Sequence, residues 1–378
     1  MGYIEAAQAN LPLVMNSYQL KTIVSRNRCL VCQQEFPIAE ERRYCPSDGS
    51  LLTSVAEDPF LELVLDGKYK IQEFIGAGGW SRVYKAQHLD LERIVAIKIL
   101  DGGLVGDPLH LSRFQAEAKA TNLLVHPNIV TVYDHGVLPQ PFIVMEFVSG
   151  RTLDEFIKEK EVLTWKVAFP IFTKVCEAMT YAHKKGFVHR DLTPRNIMLT
   201  FEGDQVKVLD FGLVHVEGQK FTRTGETLGS PPYMSPEQCR GEKLAASSDV
   251  YSLGCVIYFA LTGKRPFEGD TSVESMYKHF NKVPAALSEA RPDLHFPKGL
   301  DAVIAKALAK QKNDRYQSMQ DLYRDLEKVQ AGTVAAILFF KRFPTYSQTI
   351  KFLARISMFG NVTAVILFVL YQIVMIGR

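Results

Sequence analysis

The chain has 378 residues, 47% hydrophobic and 22% charged, which excludes wholesale disorder and is too long for one small core. The formal net charge of +3 is unevenly placed: the stretch from Ala331 onward holds five basic residues and no acidic one, leaving the remainder at −2. Basicity confined to one end argues against a nucleic-acid-binding protein and for a tail that faces a membrane.

Residues 1–25 show no pattern, and Glu5, with no continuous apolar run behind it, argues against a secretion signal. Residues 26–52 form a candidate knuckle. Cys29-Leu30-Val31-Cys32 sets two thiolates at a spacing that fits one tetrahedral metal, and Cys45 follows. Asp48 stands where a zinc ribbon would place its fourth cysteine, and a carboxylate oxygen can also bind Zn²⁺. A structural Cys₃Asp zinc site is one reading, and three reduced thiols are the other. Cys176, Cys239 and Cys255 are scattered and are expected to be inert.

From Asp66 to Gln330 a continuous globular pattern runs. Tyr69–Ile75 and Val83–Ala86 read as a hairpin around a glycine-rich turn, and Ile94–Leu100 as a third strand. Helical periodicity covers Ser112–Val125, stopped by Pro127, and helical patterns dominate after Gly150, at Trp165–His183, Asp249–Thr262 and Leu300–Lys310. Strands first and helices later predict an α+β chain with a β-rich lobe and an α-helical lobe.

The glycine-rich turn, Ile75-Gly76-Ala77-Gly78-Gly79-Trp80-Ser81-Arg82-Val83, lets backbone approach phosphate without interference from a Cβ. By itself it is a weak signal. Val95-Ala96-Ile97-Lys98 then puts a cation on the next strand, and Glu117 can supply its anionic partner. Val188-His189-Arg190-Asp191-Leu192-Thr193-Pro194-Arg195-Asn196 places a carboxylate and a carboxamide in one proline-containing loop, followed by Leu209-Asp210-Phe211-Gly212. Asn196 and Asp210 offer hard oxygen ligands of the kind Mg²⁺ takes, and Asp191 is left to accept the proton of a hydroxyl.

In this order and at these spacings the motifs resemble the eukaryotic-like (Hanks-type) protein kinase family, over residues 66–330, with the flavour of its bacterial serine/threonine branch. The resemblance implies a two-lobed kinase fold and transfer of the γ-phosphoryl group of ATP to serine or threonine hydroxyls of proteins. It assigns Ile75, Gly76, Ala77, Gly78, Gly79, Val83 and Ala96 to the nucleotide, and Lys98 with Glu117 to its phosphates. Met145 falls at the gatekeeper position, so Glu146 to Val148 is the expected hinge for adenine. Asp191 matches the catalytic base, and Asn196 and Asp210 match the Mg²⁺ ligands. Glu237 is expected to pair with Arg315, and Asp249 matches a buried aspartate of the central helix.

Two departures bear on activity. Ser81 replaces the third glycine of the loop, and Thr193 stands where the family has a lysine that stabilises the transferring phosphoryl group. Arg195, four residues after Asp191, matches an arginine that does that work in many tyrosine kinases, and is expected to substitute. The alternative is a catalytically weak pseudokinase that serves as a nucleotide-binding scaffold. Ser230 resembles the substrate-docking residue of serine/threonine enzymes, while Thr222, Thr224 and Thr227 are candidate phosphosites, with self-association a route to their autophosphorylation. Beyond the kinase-like region, residues 331–355 are basic. Residues 356–376 carry no charge and as a helix would reach about 30 Å, enough for a single membrane span with the catalytic domain cytoplasmic.

Overall fold

In the computed structural model the described residues are 26–29, 35–37, 46, 52–55, 58–77, 81–100, 108–137, 140–201, 205–211 and 231–332. Arg26–Cys29 (β1), Glu35–Pro37 (β2) and Leu52–Val55 (β3) form an antiparallel sheet in the order β2-β1-β3. Cys29 ends β1, while Cys32, Cys45 and Asp48 lie outside the described residues. Among the described residues, no group of three or more His, Cys, Asp or Glu is placed to hold a metal ion.

The chain divides into two compact units, residues 1–111 with 133–147 and residues 112–132 with 148–378. The first unit carries a six-stranded sheet. Its strands are Val64–Leu65 (β4), Tyr69–Ala77 (β5), Ser81–His88 (β6), Arg93–Leu100 (β7), Val132–Gly136 (β8) and Phe142–Glu146 (β9), in the order β4-β5-β6-β7-β9-β8. The helix Pro108–Asn122 (α1) lies between β7 and β8 in sequence. Because side chains alternate across a strand, one face of β6, β7 and β9 is apolar and buried: Tyr84, Val95, Ile97, Ile99, Phe142 and Val144 pack into one core with Ile71 and Tyr69. Leu65 belongs to this core and Phe60 and Leu63 pack against it, so the packed chain starts before position 66.

The second unit is mostly helical. It contains Gly150–Thr152 (β10), Leu153–Lys160 (α2), Trp165–Lys184 (α3), Ile197–Thr200 (β11), Val206–Val208 (β12), Pro236–Cys239 (α4) and Ala246–Thr262 (α5). Ser272–Asn281 (α6), Leu287–Ala290 (α7), Leu300–Ala307 (α8) and Met319–Gln330 (α9) complete it. Helix α5 is buried on nearly every side and is the axis of the larger core, with Leu253, Val256 and Ile257 beside Val175, Met179 and Val303.

Two helices stop short of their sequence expectation. Helix α1 ends at Asn122, and Leu123 and Val125 are exposed, because Pro127 disfavours helical backbone at the residue before it. Helix α8 ends at Ala307, where the Leu308 N–H still donates back to the Ile304 carbonyl, and beyond it the carbonyls of Ala309 and Lys310 accept hydrogen bonds from the Arg315 side chain. Among the described residues no helix is long and apolar enough to cross a membrane; the expected span, 356–376, lies outside them.

Candidate active site

Within the first unit, β5 and β6 form a hairpin whose register pairs Gly76 with Val83 and Ala77 with Arg82. Gly78 and Gly79 lie outside the described residues. Register shifts between Ile71 and Glu73 and between Phe74 and Gly76 mark bulges that bend the strand. The register also sets Val83 opposite Lys98, and Ala96 opposite Met145. With a side-chain period of two, Val83, Ala96, Lys98 and Met145 therefore share the face opposite the small core. Lys98, Ala96 and Met145 are buried, and Ile75 and Ala77 are exposed near the hairpin tip. Glu146, which ends β9, and Val148 after it are half-buried.

Glu117 sits in the second unit on α1 and is buried, with its backbone carbonyl accepting from Thr121 Oγ1 at 2.9 Å.

The loop that carries Asp191 is held from beneath by Asp249. Asp249 is fully buried in the first turn of α5, and its two oxygens accept from the backbone N–H groups of His189 (2.8 Å) and Arg190 (2.9 Å). His183 Nε2 lies 2.7 Å from the same carboxylate. Burial pushes the Asp249 carboxyl up, but the His183 hydrogen bond, the neighbouring imidazoles and the His189 N–H outweigh it, and its pKa falls below the ordinary value. These bonds secure an unfavourable backbone, since Arg190 has φ 71° and no glycine to excuse it. Gln238 Nε2 adds a donor to the Arg190 carbonyl at 2.7 Å.

His189 links the loop to the strand that leads to Asp210. Its Nδ1 accepts from the Asp191 N–H at 3.3 Å, which leaves the proton on Nε2 to donate to the Leu209 carbonyl at 2.8 Å. The ring also packs on Phe211, with centroids 4.8 Å apart. The thirteen residues between Asn196 and Asp210 are used by a hairpin: β11 and β12 pair Ile197 with Val208, and Leu209 N–H donates to the Asn196 carbonyl at 2.8 Å. The chain thus returns Asp210 to the neighbourhood of Asn196. On the far side, Ile129 bridges to Val208 and Asn128 Nδ2 donates to the Val206 carbonyl at 2.9 Å. Asp210 itself has φ 43°, a second left-handed residue in the same site.

Asn196 Nδ2 donates to both the Asp191 carbonyl (2.8 Å) and Asp191 Oδ2 (3.1 Å). Those two acceptors fix the amide orientation, so its oxygen points away from Asp191 and is presented as a ligand atom. An amide oxygen and the Asp210 carboxylate suit Mg²⁺, a hard cation. Thr193 is buried, whereas the Arg195 side chain is 79% exposed, with Nε 3.8 Å from Asp154 Oδ2 on α2. Glu237 and Arg315 make the expected pair, two parallel bonds of 2.7 and 2.8 Å, fully buried, with Ser248 Oγ donating at 2.7 Å. Thr222, Thr224, Thr227 and Ser230 lie outside the described residues.

Sequence reasoning missed His183 and Gln238. Each acts across a long separation, 66 and 48 residues, and nothing local to either position announces its partner.

A family model described as protein kinase domain matches residues 69–325. The serine/threonine-protein kinase PknB of Mycobacterium tuberculosis is 41% identical over 276 residues, covering 71% of this chain and 44% of that protein. A probable serine/threonine-protein kinase of Streptomyces coelicolor is 40% identical over 271 residues, covering 70% and 40%. The chain therefore spans less than half the length of these curated relatives. Among solved structures, the kinase domain of M. tuberculosis PknI matches with a TM-score of 0.58 at 27% identity, covering 71% of this chain and 98% of that one. Rad53 residues 1–466, in complex with AMP-PNP, match at 0.58 and 25% identity, covering 68% and 64%.

Proposed function

The chain belongs to the protein kinase domain family, and from that premise we propose that it is an ATP-dependent protein serine/threonine kinase. The observation that carries this reading is the loop held by Asp249, in which Asn196 fixes the Asp191 carboxylate while the β11–β12 hairpin returns Asp210 beside Asn196. In this reading Asp191 accepts the proton of the attacking hydroxyl as its oxygen bonds to the γ-phosphorus and the bond to ADP breaks. Asn196 and Asp210 hold Mg²⁺, which when bound offsets charge on the phosphates. By the family's pattern Gly76 to Gly79 cover the phosphates and Lys98 binds them. Val83, Ala96 and Met145 line the adenine and Glu146 to Val148 offer it backbone hydrogen bonds. That the Rad53 relative is solved with AMP-PNP, an ATP analogue, supports a nucleotide on this fold.

Serine and threonine specificity rests on the names of the curated relatives and on Ser230 in the docking loop. Arg195 takes the part of the lysine that Thr193 replaces. Thr222, Thr224 and Thr227 are the sites where phosphate would pair with Arg190, reached by self-association of two chains. Outside the catalytic region, residues 356–376 anchor the protein in a membrane with the kinase cytoplasmic. Cys29, Cys32, Cys45 and Asp48 bind one structural Zn²⁺; elemental analysis should find about one zinc per chain, lost when Cys29 and Cys32 are both changed to Ser.

The test of the central reading is incubation of the full chain with labelled ATP and Mg²⁺. Wild type should incorporate phosphate on threonine or serine, and Lys98→Met and Asp210→Asn should incorporate none while melting normally. Turnover by the wild type no faster than by these variants would return the protein to the scaffold class.

A further inference from the structure

Arg195 is useful as a replacement cation only if its guanidinium is aimed, because a long exposed side chain otherwise samples many rotamers. Its aim is set from α2. Asp154 lies in the first turn of that helix, its side chain only 11% exposed, where the helix N-terminus favours an anion. Its Oδ2 is held 2.8 Å from Lys158 Nζ one turn along, which fixes the carboxylate rotamer, and it lies 3.8 Å from Arg195 Nε. A guanidinium has five N–H donors in a rigid plane. At 3.8 Å the carboxylate is an ion-pair partner on the Nε side of the guanidinium, a bias on its orientation, and Nη1 and Nη2 are left to make parallel bonds to two phosphoryl oxygens.

We propose that Asp154 is a positioning residue for the phosphoryl-transfer step: it orients Arg195 so that the outward edge of the guanidinium meets the phosphoryl group as it passes to the hydroxyl. This rests on the reading of Arg195 as the substitute for the missing lysine. Asp154 does not touch the reacting atoms, and its effect is confined to the transition state, where the charge that Arg195 meets is developing. Lys158 matters only through the carboxylate it braces.

A double-mutant cycle in the full chain tests it. Arg195→Ala should lower kcat by about 10²-fold with little change in KM for ATP, and Asp154→Asn by about tenfold. In the Arg195→Ala background, Asp154→Asn should cost nothing further. Asp154→Glu, which keeps the charge at the helix start, should recover most of the loss. A second readout is binding: Asp154→Asn should weaken affinity for ADP with aluminium fluoride and Mg²⁺ by about tenfold while leaving ADP affinity unchanged. Melting curves set a temperature at which every variant is folded. Full kcat in Asp154→Asn beside a slow Arg195→Ala overturns this inference alone, as does an equal loss in both backgrounds. Full kcat in Arg195→Ala overturns the reading of Arg195 and the role of Asp154 with it.

Discussion

Asp249 and Glu237 are carboxylates withdrawn from water, and each keeps its charge because donors fill its oxygens. For both, burial pushes the pKa up; for Asp249 the histidines and loop N–H groups reverse that, and for Glu237 the Arg315 fork and Ser248 do. The folded pKa of each lies below its ordinary value, 3.8 and 4.5 respectively. A depressed carboxylate adds stability that is present in full above its unfolded pKa and is lost as pH falls through the folded value. Melting temperature should therefore drop as pH is lowered below about 4.5. Glu237→Gln should cost about 3–5 kcal/mol at neutral pH, because it leaves Arg315 buried without its counter-charge. It should also flatten the acid limb of the melting curve. A Glu237→Gln protein that melts with the wild type would show the pair to be dispensable. At this scale the sequence was readable wherever a residue type and a spacing carry chemistry: Lys98, Asp191, Asn196, Asp210 and the Glu237–Arg315 pair stand in recognisable neighbours. The supports are less readable. His183 is one polar residue near the end of an apolar helix, and its role exists only because folding brings Asp249 to it.

The small sheet β10-β11-β12 is the element on which the chemistry depends, since β11 starts immediately after Asn196 and β12 ends two residues before Asp210. Its outer strand requires Gly150. The backbone there pairs with Thr200, and a Cβ on Gly150 would lie 2.1 Å from the Leu199 carbonyl oxygen, with backbone rather than a yielding side chain in the way. Gly150→Ala should therefore cost about 1–3 kcal/mol through strand displacement, lowering the melting temperature by several degrees at about 2–4 °C per kcal/mol. It should also reduce kcat more than KM for ATP, because Asn196 and its grip on Asp191 move with β11. An unchanged melting temperature would mean that β10 can slide outward without penalty. Mixed apolar and polar residues flanking a glycine cluster made β5 and β6 legible, and the apolar run Ile94–Leu100, broken only by Lys98, made β7 legible. The short strands of the small sheet were not, since three or four residues hold too little pattern to separate a strand from a loop. Helix ends were legible only where a local signal sets them. Pro127 limits α1, but no comparable residue marks the end of α8 at Ala307, and the chain just past it is held by the Arg315 side chain on the carbonyls of Ala309 and Lys310.

For the whole molecule, the division into a β-rich and a helical unit follows from the order of strand and helix patterns, and each unit has its own apolar core. That much was legible because each pattern is long and repeated. The tail is argued on different physics. Residues 356–376 contain no charge, and a helix of that length matches the hydrocarbon thickness of a bilayer. Among the described residues the larger core takes in Leu322, Leu326 and Val329 of α9, which ends at Gln330. As a helix, a segment of this apolar length would be driven toward lipid, and Lys341, Arg342, Lys351 and Arg355 before it would favour the cytoplasmic side for what precedes it. Removing residues 356–378 should therefore shift the protein from the membrane fraction to the soluble fraction, with autophosphorylation of the remaining chain unchanged. Alkaline carbonate washing separates the two ways a basic, apolar tail can hold a membrane. A spanning helix stays with the pellet, because its backbone groups are satisfied internally and its side chains are solvated by lipid. A peripheral tail held by its lysines and arginines is released once those charges are screened or neutralised. Release of the intact chain by salt or carbonate would replace the spanning helix with surface attachment through residues 331–355.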